Sequence, residues 1–340
     1  MKKRLAVGVG ACTGMLLLIL DSRTALQGAY TGIDLCIRTV IPALFPFFVL
    51  SILLTGAFTG TSIPILRPLG RLCGIPRGAE SILLTGLLGG YPVGAQAVSQ
   101  SYREGLLNRE DARRMLSFCS NAGPAFLFGM GAALFDSIAA PALLWGIHIL
   151  SALAVGALMP GKSKATLRSR KENPVTLPEA MARSVKILGS VCGWVVLFRV
   201  IIAFLERWCL WMLPMAGQVI LSGLLELTNG FCQLGSLQSP GLRFLLCTVF
   251  LGFGGLCVTM QTSAVTAPEL GIRSYMTGKI LQTCISLPLA AVGQFFLFVP
   301  QDRCSQFPAL QVMPVVLGAA LILFLREAKK SSSIPSAVGV

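Results

Sequence analysis

The chain has 340 residues, of which 54% are hydrophobic and only 12% are charged, and its mean hydropathy is +0.75. A soluble domain of this length would carry about 25% charged residues, so the composition excludes an ordinary soluble protein and predicts a polytopic membrane protein. The net charge of +14 is the lysine and arginine excess typical of cytoplasmic loops, and we predict no nucleic-acid partner. The 11 cysteines lack Cys-x-x-Cys spacing and histidine partners, which predicts no metal site.

Eight apolar segments are long enough, or nearly so, to cross about 30 Å of hydrocarbon as helices. They are 5–20, 37–59, 115–134, 138–159, 186–205, 243–262, 279–299 and 308–326. Two further apolar segments, 81–100 and 212–235, are interrupted by glycine, proline or polar residues. We predict that both are re-entrant helical hairpins, because lipid cannot satisfy the backbone groups that such interruptions free.

Basic residues mark one side of the membrane. Most of the 28 lysines and arginines fall in the stretches 2–4, 60–80, 101–114, 160–186, 263–279 and 326–330. The positive-inside rule makes these stretches cytoplasmic, so both termini are predicted inside. The same rule favours a re-entrant hairpin at 81–100, since a complete crossing would put the arginines of 103–114 outside.

The order span, hairpin, span occurs twice with opposite predicted orientation. The first repeat covers 31–159 and the second 185–300, and Gly-Leu-Leu occurs in both hairpins, at Gly86 and Gly223. The predicted fold is therefore all-α, with inverted-topology repeats of the kind found in secondary transporters. The other predicted units are a signal-anchor helix at 1–30, a basic cytoplasmic linker at 160–184, and the last transmembrane helix with a disordered tail at 301–340.

Interrupted segments at corresponding places in two halves point to a substrate site near the middle of the membrane. Glycine permits close approach and positive φ, and proline frees a carbonyl one turn back, so these residues would set the geometry of the breaks. The residues concerned are Gly89, Gly90, Pro92, Gly94, Gly123, Pro124, Gly254 and Gly255. Small-residue packing between helices is the alternative interpretation.

Two charged residues interrupt apolar segments. A carboxylate at Glu226 costs several kcal/mol near the middle of the membrane unless it is protonated or paired. We predict that Glu226 exchanges a coupling proton or cation, or contacts substrate; a permanent pair with Arg199 or Arg207 is the alternative. Arg199 is either the counter-charge of an anionic substrate or a member of that pair.

Neutral polar residues beside the breaks are candidate substrate contacts, namely Ser120, Asn121, Thr228, Asn229 and Gln261. Their donors and acceptors suit a carboxylate, a ring nitrogen or a hydroxyl group. Helix capping is the alternative role. Tyr91 is either a stacking platform for an aromatic substrate or an interfacial anchor. His148 has no acidic or cysteine partner in the sequence, so we predict a packed, hydrogen-bonded core histidine and no enzyme.

Four motifs resemble the nucleoside-recognition, or gate-domain, family of bacterial membrane proteins. They are Gly-Gly-Tyr-Pro-Val-Gly-Ala at 89–95, Ser-Phe-Cys-Ser-Asn-Ala-Gly-Pro-Ala-Phe at 117–126, Glu-Leu-Thr-Asn-Gly at 226–230, and Phe-Gly-Gly at 253–255 with Gln261. The resemblance covers roughly residues 30–300 and implies a core similar to that of concentrative nucleoside transporters. The motifs are most similar to sporulation members of the family, which are implicated in carrying dipicolinic acid. This resemblance implies movement of dipicolinate from the mother cell toward the forespore, in the outer forespore membrane.

The sequence therefore predicts a secondary transporter of a small anionic or heteroaromatic metabolite in the cell membrane, with dipicolinate as the implied substrate. A nucleoside or nucleobase carrier is one alternative, and a non-transporting structural or regulatory sporulation membrane protein is another. We expect no cofactor beyond a coupling proton or cation. The expected partners are a small-molecule substrate and the lipid bilayer, and a homo-oligomer is left open.

Overall fold

The computed structural model describes residues 2–161, 163, 166–167 and 175–298. Within these residues the regular elements are helices, joined by short turns. The α-helices are α1 Lys2–Leu20, α2 Ser22–Leu35, α3 Ile41–Phe58, α4 Arg67–Leu72, α5 Glu80–Leu88, α6 Val93–Arg103, α7 Arg109–Leu116, α8 Pro124–Phe135, α9 Ala139–Leu158, α10 Leu177–Trp208, α11 Met215–Leu225, α12 Leu227–Gln233, α13 Pro240–Phe253, α14 Gly255–Val265 and α15 Arg273–Phe298. A π-helical turn, Cys36–Val40, joins α2 to α3 without interrupting the rod.

Five helical stretches of the described chain are long and apolar enough to cross a membrane. They are Ser22–Phe58, Ala139–Leu158, Leu177–Trp208, Pro240–Val265 and Arg273–Phe298. Shorter apolar helices occupy Arg4–Leu20, Pro124–Phe135 and Met215–Leu225. The protein is therefore an all-α, multi-pass membrane protein, and the count of eight crossings remains a prediction. The predicted span 308–326, the tail and most of the predicted linker lie outside the described residues.

Two predicted continuous spans are broken. The prediction of one helix over 115–134 is wrong, because residues 117–123 are not helical. Pro124 restricts the residue before it, and Gly123 is accordingly extended at φ −74° and ψ 151°. The predicted span 243–262 lies within the membrane-spanning stretch Pro240–Val265, but Gly254, at φ +80°, divides it into α13 and α14.

The continuous rod formed by α2 and α3 packs antiparallel to α10. Glycines permit the close approach, since a Cβ added at Gly32 would lie 2.9 Å from Val196 Cα. At one end of these packed helices, Arg207 and Asp21 form an ion pair at 2.9 Å. At the other end Gly56 contacts Val175. We call these two ends of the molecule the Asp21 end and the Gly56 end.

Two short helix pairs occupy the positions of the predicted hairpins. The first pair, α5 and α6, crosses where Gly94 meets Gly86, so closely that a Cβ at Gly94 would lie 2.7 Å from Gly86 Cα. In the second pair, α11 and α12, Gly230 meets Gly223, and a Cβ at Gly230 would overlap the Gly223 backbone. The helix pairs begin and end within a few residues of the predicted hairpin bounds. Their re-entrant topology and the domain boundaries remain predictions.

Candidate functional site

The interruptions of four helical segments meet near the centre of the molecule. The first hairpin turns at 89–92, through Gly90 at φ +83° and a cis Tyr91–Pro92 bond. The 117–123 break packs on this turn, since a Cβ at Gly123 would lie 3.2 Å from Gly90 Cα. The α13–α14 break packs on the second hairpin, since a Cβ at Gly255 would lie 3.2 Å from the Gly223 carbonyl oxygen. The Tyr91 hydroxyl joins the two halves by donating to the Leu251 carbonyl at 2.9 Å.

A central cavity of about 40 Å³ lies between these breaks. Four of the predicted substrate-binding and coupling residues line it, namely Tyr91, Glu226, Thr228 and Gln261. Much of the remaining wall is apolar and comprises Val40, Leu44, Ala122, Phe126, Val191, Val195, Leu227 and Val258. Gly123 completes the lining. The cavity therefore combines a mostly apolar surface with a few polar groups, which is the usual composition of a small-molecule site.

Glu226 is 1% exposed and occupies the break of the second hairpin. Its two carboxylate oxygens accept hydrogen bonds from the backbone N–H groups of Thr228, at 3.0 Å, and Asn229, at 2.6 Å. Glu226 is thus the N-cap of α12 as well as part of the cavity wall. Arg199 pairs with Glu206 at 3.0 Å. Because Arg207 pairs with an aspartate, neither arginine forms the ion pair with Glu226 that was the alternative interpretation.

The other predicted polar residues lie behind the cavity wall. The Asn121 side chain donates to the carbonyls of Gly86, at 2.9 Å, and Phe118, at 2.7 Å, and so ties the break to the first hairpin. The Ser120 hydroxyl and the Asn229 side-chain nitrogen are buried with no hydrogen-bond partner among the described residues. Buried polar groups are rarely left in this state, so both have unused capacity for hydrogen bonding.

Lys279 is a central residue that the sequence analysis missed. It is 1% exposed in α15. Its ammonium nitrogen is within hydrogen-bond distance of four acceptors: Ser120 O at 2.6 Å, Gln282 Oε1 at 2.6 Å, Asn121 Oδ1 at 3.1 Å and Tyr91 Oη at 3.2 Å. It also lies 5.1 Å from the centre of the Tyr91 ring. No aspartate or glutamate of the described chain forms an ion pair with it, so the partners of its nitrogen are neutral oxygens and an aromatic face.

The assignment of Lys279 to the cytoplasmic stretch 263–279 is wrong. Helix α15 begins at Arg273 and brings Lys279 inward, because Gly278 lets the helix lie against the Ser117 backbone. A polar stripe in the sequence could have revealed this burial. Lys279, Gln282 and Ser286 repeat at helical spacing in an apolar segment, and all three are buried.

The same polar cluster includes His148. Gln282 donates to Asn121 Oδ1 at 3.1 Å and to the His148 carbonyl at 3.0 Å. The His148 ring accepts from the Ala122 backbone N–H at 3.1 Å. His148 is therefore the hydrogen-bonded core histidine that was predicted. Within the described residues no group of three or more histidine, cysteine, aspartate or glutamate side chains could hold a metal ion.

A larger cavity of about 520 Å³, which we call the vestibule, opens at the Gly56 end between α3, α6, α10 and α14. Its polar lining includes Thr55, Thr59, Gln96, Gln100, Ser101, Arg103, Glu104, Arg183, Lys186 and Ser190. The vestibule includes Ile187, and the central cavity begins at Val191, one turn or about 6 Å further along α10. The vestibule therefore ends close to the central cavity.

Comparison with known proteins gives one informative similarity. The chain is 25% identical over 309 residues to the Sporulation integral membrane protein YlbJ of Bacillus subtilis (strain 168), and the match covers 76% of this chain and 75% of that protein. No protein-family model matches the chain. No solved structure matches it either. Membership of the nucleoside-recognition family therefore remains a prediction, and the chain is a multi-pass membrane protein similar to a sporulation integral membrane protein.

Proposed function

We propose that this protein is a secondary transporter of a small anionic or heteroaromatic metabolite. The candidate substrate is dipicolinate, moved from the mother cell toward the forespore during sporulation. The observation that carries the proposal is the meeting of four helix interruptions around a central cavity that contains the Glu226 carboxylate. Such interruptions line substrate sites in transporters of this general design. The name of the Bacillus subtilis relative supports the sporulation setting.

Inverted repeats are supported by a shared construction of the two hairpins. Residues 82–88 read Ile-Leu-Leu-Thr-Gly-Leu-Leu, and 219–225 read Val-Ile-Leu-Ser-Gly-Leu-Leu. In both, the glycine of this segment is the crossing point with the second helix of its pair. Helix α5 follows a loop at the Gly56 end, whereas α11 follows α10 from the Asp21 end. Two similar hairpins that start from opposite ends are the arrangement that an inverted repeat requires.

The sizes of the two cavities suggest the route that the substrate takes into the protein. Sites for small metabolites usually occupy about 300–1,000 Å³. The vestibule, at about 520 Å³, falls in this range, whereas the central cavity, at about 40 Å³, does not. We therefore assign the structure to a state that is open at the Gly56 end and closed at the centre. The substrate would enter the vestibule first, and the first hairpin would move to enlarge the centre.

The charge of the vestibule favours an anion. Arg103, Arg183 and Lys186 line it, and Glu104 is the one acidic residue of its described lining. Arg183 also pairs with Glu179. An excess of one sign of charge in a partly enclosed cleft raises the local concentration of ions of the opposite sign. Dipicolinate and similar carboxylates would therefore be concentrated next to the central site.

At the centre, Glu226 would exchange the coupling proton or cation. Both of its oxygens accept backbone hydrogen bonds, so a proton or cation arriving there would compete with the cap of α12 and alter the second hairpin. Ser120 and Asn229 lie behind the cavity wall, and their unpaired hydroxyl and amide groups would bind the substrate once the centre has enlarged. Helix α8 begins at Pro124 beside the cavity, and its positive end would contribute to binding a carboxylate.

Dipicolinate flux into proteoliposomes tests the proposal. We expect saturable uptake by the wild-type protein and its loss in Glu226→Gln and Asn121→Ala. Glu110→Gln is the matched control, because Glu110 is exposed on α7 and should keep wild-type flux. If nucleosides compete with dipicolinate at low concentration, the substrate is a nucleoside and the dipicolinate assignment is wrong. Folded protein that carries neither dipicolinate, nucleosides nor nucleobases would support the structural or regulatory alternative.

A further inference from the structure

A second basic cavity lies in the loop between α3 and α5 and shares no described lining residue with the vestibule or the central cavity. Its volume is about 360 Å³. Six residues line it: Ser62, Pro64, Arg67, Pro68, Arg71 and Arg77. Half of this lining is arginine and none of it is acidic. A guanidinium group presents parallel N–H donors that match two oxygens of a phosphate, so converging arginines suit a phosphate group.

The loop is held in place by a buried acid. Glu80 is fully buried, and it accepts from Arg67 at 3.1 Å and from the Gly78 N–H at 2.7 Å. Glu80 therefore neutralises one of the three arginines. Arg71 and Arg77 are exposed, and in the described chain their guanidinium groups have neither an ion-pair partner nor a hydrogen-bond partner. The cavity consequently keeps two positive charges that are free to bind an anion.

The loop lies at the boundary of the membrane-spanning region. It begins directly after the span Ser22–Phe58, and Gly60 N donates to Gly78 O at 2.9 Å. The segment after α9 is tied to the same loop, since Leu167 N donates to Arg77 O at 2.8 Å. The loop therefore sits where two spans leave the hydrocarbon, which is the level of the lipid headgroups.

An exposed apolar residue stands beside the arginines. Ile65 is 84% exposed and lies next to Pro64 in the stretch Ile-Pro-Ile-Leu at 63–66. At a membrane boundary such a side chain can enter the acyl region while neighbouring arginines contact headgroups. A soluble phosphorylated compound would use the arginines but would not require Ile65.

We propose that this loop binds an anionic phospholipid, with Arg71 and Arg77 on the lipid phosphate and Ile65 among its acyl chains. Arg67, fixed by Glu80, would supply a third and weaker contact. The inference does not depend on the transport proposal, because it concerns different residues and a different ligand. The predicted excess of basic residues at the Gly56 end makes this the cytoplasmic leaflet.

Native mass spectrometry of the full-length protein, released from mixed micelles of phosphatidylglycerol and phosphatidylcholine, tests the proposal. We expect the wild-type protein to retain phosphatidylglycerol preferentially. The double variant Arg71→Gln/Arg77→Gln should lose about 30-fold in affinity, since each arginine contributes roughly 1 kcal/mol. Arg4→Gln/Arg273→Gln removes the same charge from exposed positions outside the loop and should retain the lipid.

Two further measurements distinguish a lipid phosphate from a soluble phosphate as the ligand. Ile65→Ser should weaken phosphatidylglycerol binding, whereas inorganic phosphate and glycerol 3-phosphate at millimolar concentration should not displace the lipid. Displacement by either compound would overturn the lipid assignment, and so would equal losses in the two double variants. If Arg71→Gln/Arg77→Gln does not fold, Arg71→Lys/Arg77→Lys keeps the charge but not the paired N–H geometry. Its affinity should fall by several fold, and unchanged affinity would contradict a phosphate bound by paired guanidinium donors.

Discussion

Lys279 connects parts of the chain that are distant in sequence. Its ammonium group contacts the turn of the first hairpin through Tyr91, the 117–123 break through Ser120 and Asn121, and its own helix through Gln282. A lysine placed in this way has more acceptors around it than protons to donate. It positions the break and the hairpin relative to each other, and it lies behind the wall of the central cavity.

We expect Lys279→Met to reduce transport at least tenfold. The substitution keeps an unbranched side chain but removes a donor from Ser120 O and from Gln282 Oε1. Each buried acceptor left without a partner costs about 1–3 kcal/mol, and about 1.4 kcal/mol corresponds to a factor of ten. Initial uptake rates in proteoliposomes measure the effect. Ser286→Ala is the matched control, because Ser286 is buried on the same helix and donates only to Thr283. Wild-type uptake by folded Lys279→Met would contradict a positioning role.

Glycine contacts define the two hairpins as structural elements. At each crossing the two helices approach through backbone atoms, and a methyl group on any of these glycines has no space because the partner helix, Cys119 or the Phe250 ring fills it. The contact recurs as Gly86 with Gly94 and as Gly223 with Gly230. Because helix pairs packed through backbone atoms cannot slide without a clash, we expect each hairpin to move as one body during transport.

We expect Gly94→Ala and Gly230→Ala each to destabilise the protein. A Cβ at Gly94 would overlap the Cys119 carbonyl, and a Cβ at Gly230 would overlap the Gly223 backbone. Overpacking of this kind costs about 1–3 kcal/mol or more. The midpoint of thermal unfolding in detergent measures the loss. Gly189→Ala is the control, since a Cβ there meets no atom within 4 Å. Equal midpoints for all three variants would show that the crossings tolerate side chains.

The sequence allowed the breaks to be located but not the contacts between them. Glycine, proline and uncovered polar residues inside apolar segments mark breaks locally, so Pro92, Glu226 and Gly254 could be placed in advance. The contacts of Lys279 with Tyr91, Ser120 and Asn121 span 158 to 188 positions of the chain, and no local pattern records them. Charge counting placed Lys279 in a loop because it treats every lysine as solvent-exposed. Helix capping is the alternative role that the sequence offers for Thr228 and Asn229, whereas in the structure Glu226 caps α12.

At the scale of the whole molecule, the two ends differ in charge. The stretches 60–80 and 101–114, both rich in arginine, lie with the vestibule at the Gly56 end. The Asp21 end contains the ion pair of Arg207, and helix α11 of the second hairpin starts from this end. The positive-inside rule predicts that the Gly56 end is cytoplasmic. With that orientation, the vestibule would face the mother-cell cytoplasm, from which the proposed substrate comes.

Single-cysteine labelling in a background without the native cysteines tests this orientation. In non-sporulating cells that express the variants in the cell membrane, we expect a membrane-impermeant maleimide to label Ser236→Cys in intact cells and Glu110→Cys only after permeabilisation. Both positions are exposed, so permeabilised cells provide the control for reactivity. Labelling of Glu110→Cys in intact cells would mean that the segment of α5 and α6 crosses the membrane completely, which would refute the re-entrant topology.

The contact between Lys279 and Ser120 also has a consequence for biosynthesis. The two residues are 159 positions apart, so the ribosome finishes the first break long before it reaches α15. At about 5–20 residues per second the interval is roughly 8–30 s. During that time the polar groups of the break stand in a nascent membrane protein without the ammonium donor that later binds them. The first half should therefore remain bound to the membrane-insertion machinery until α15 has entered.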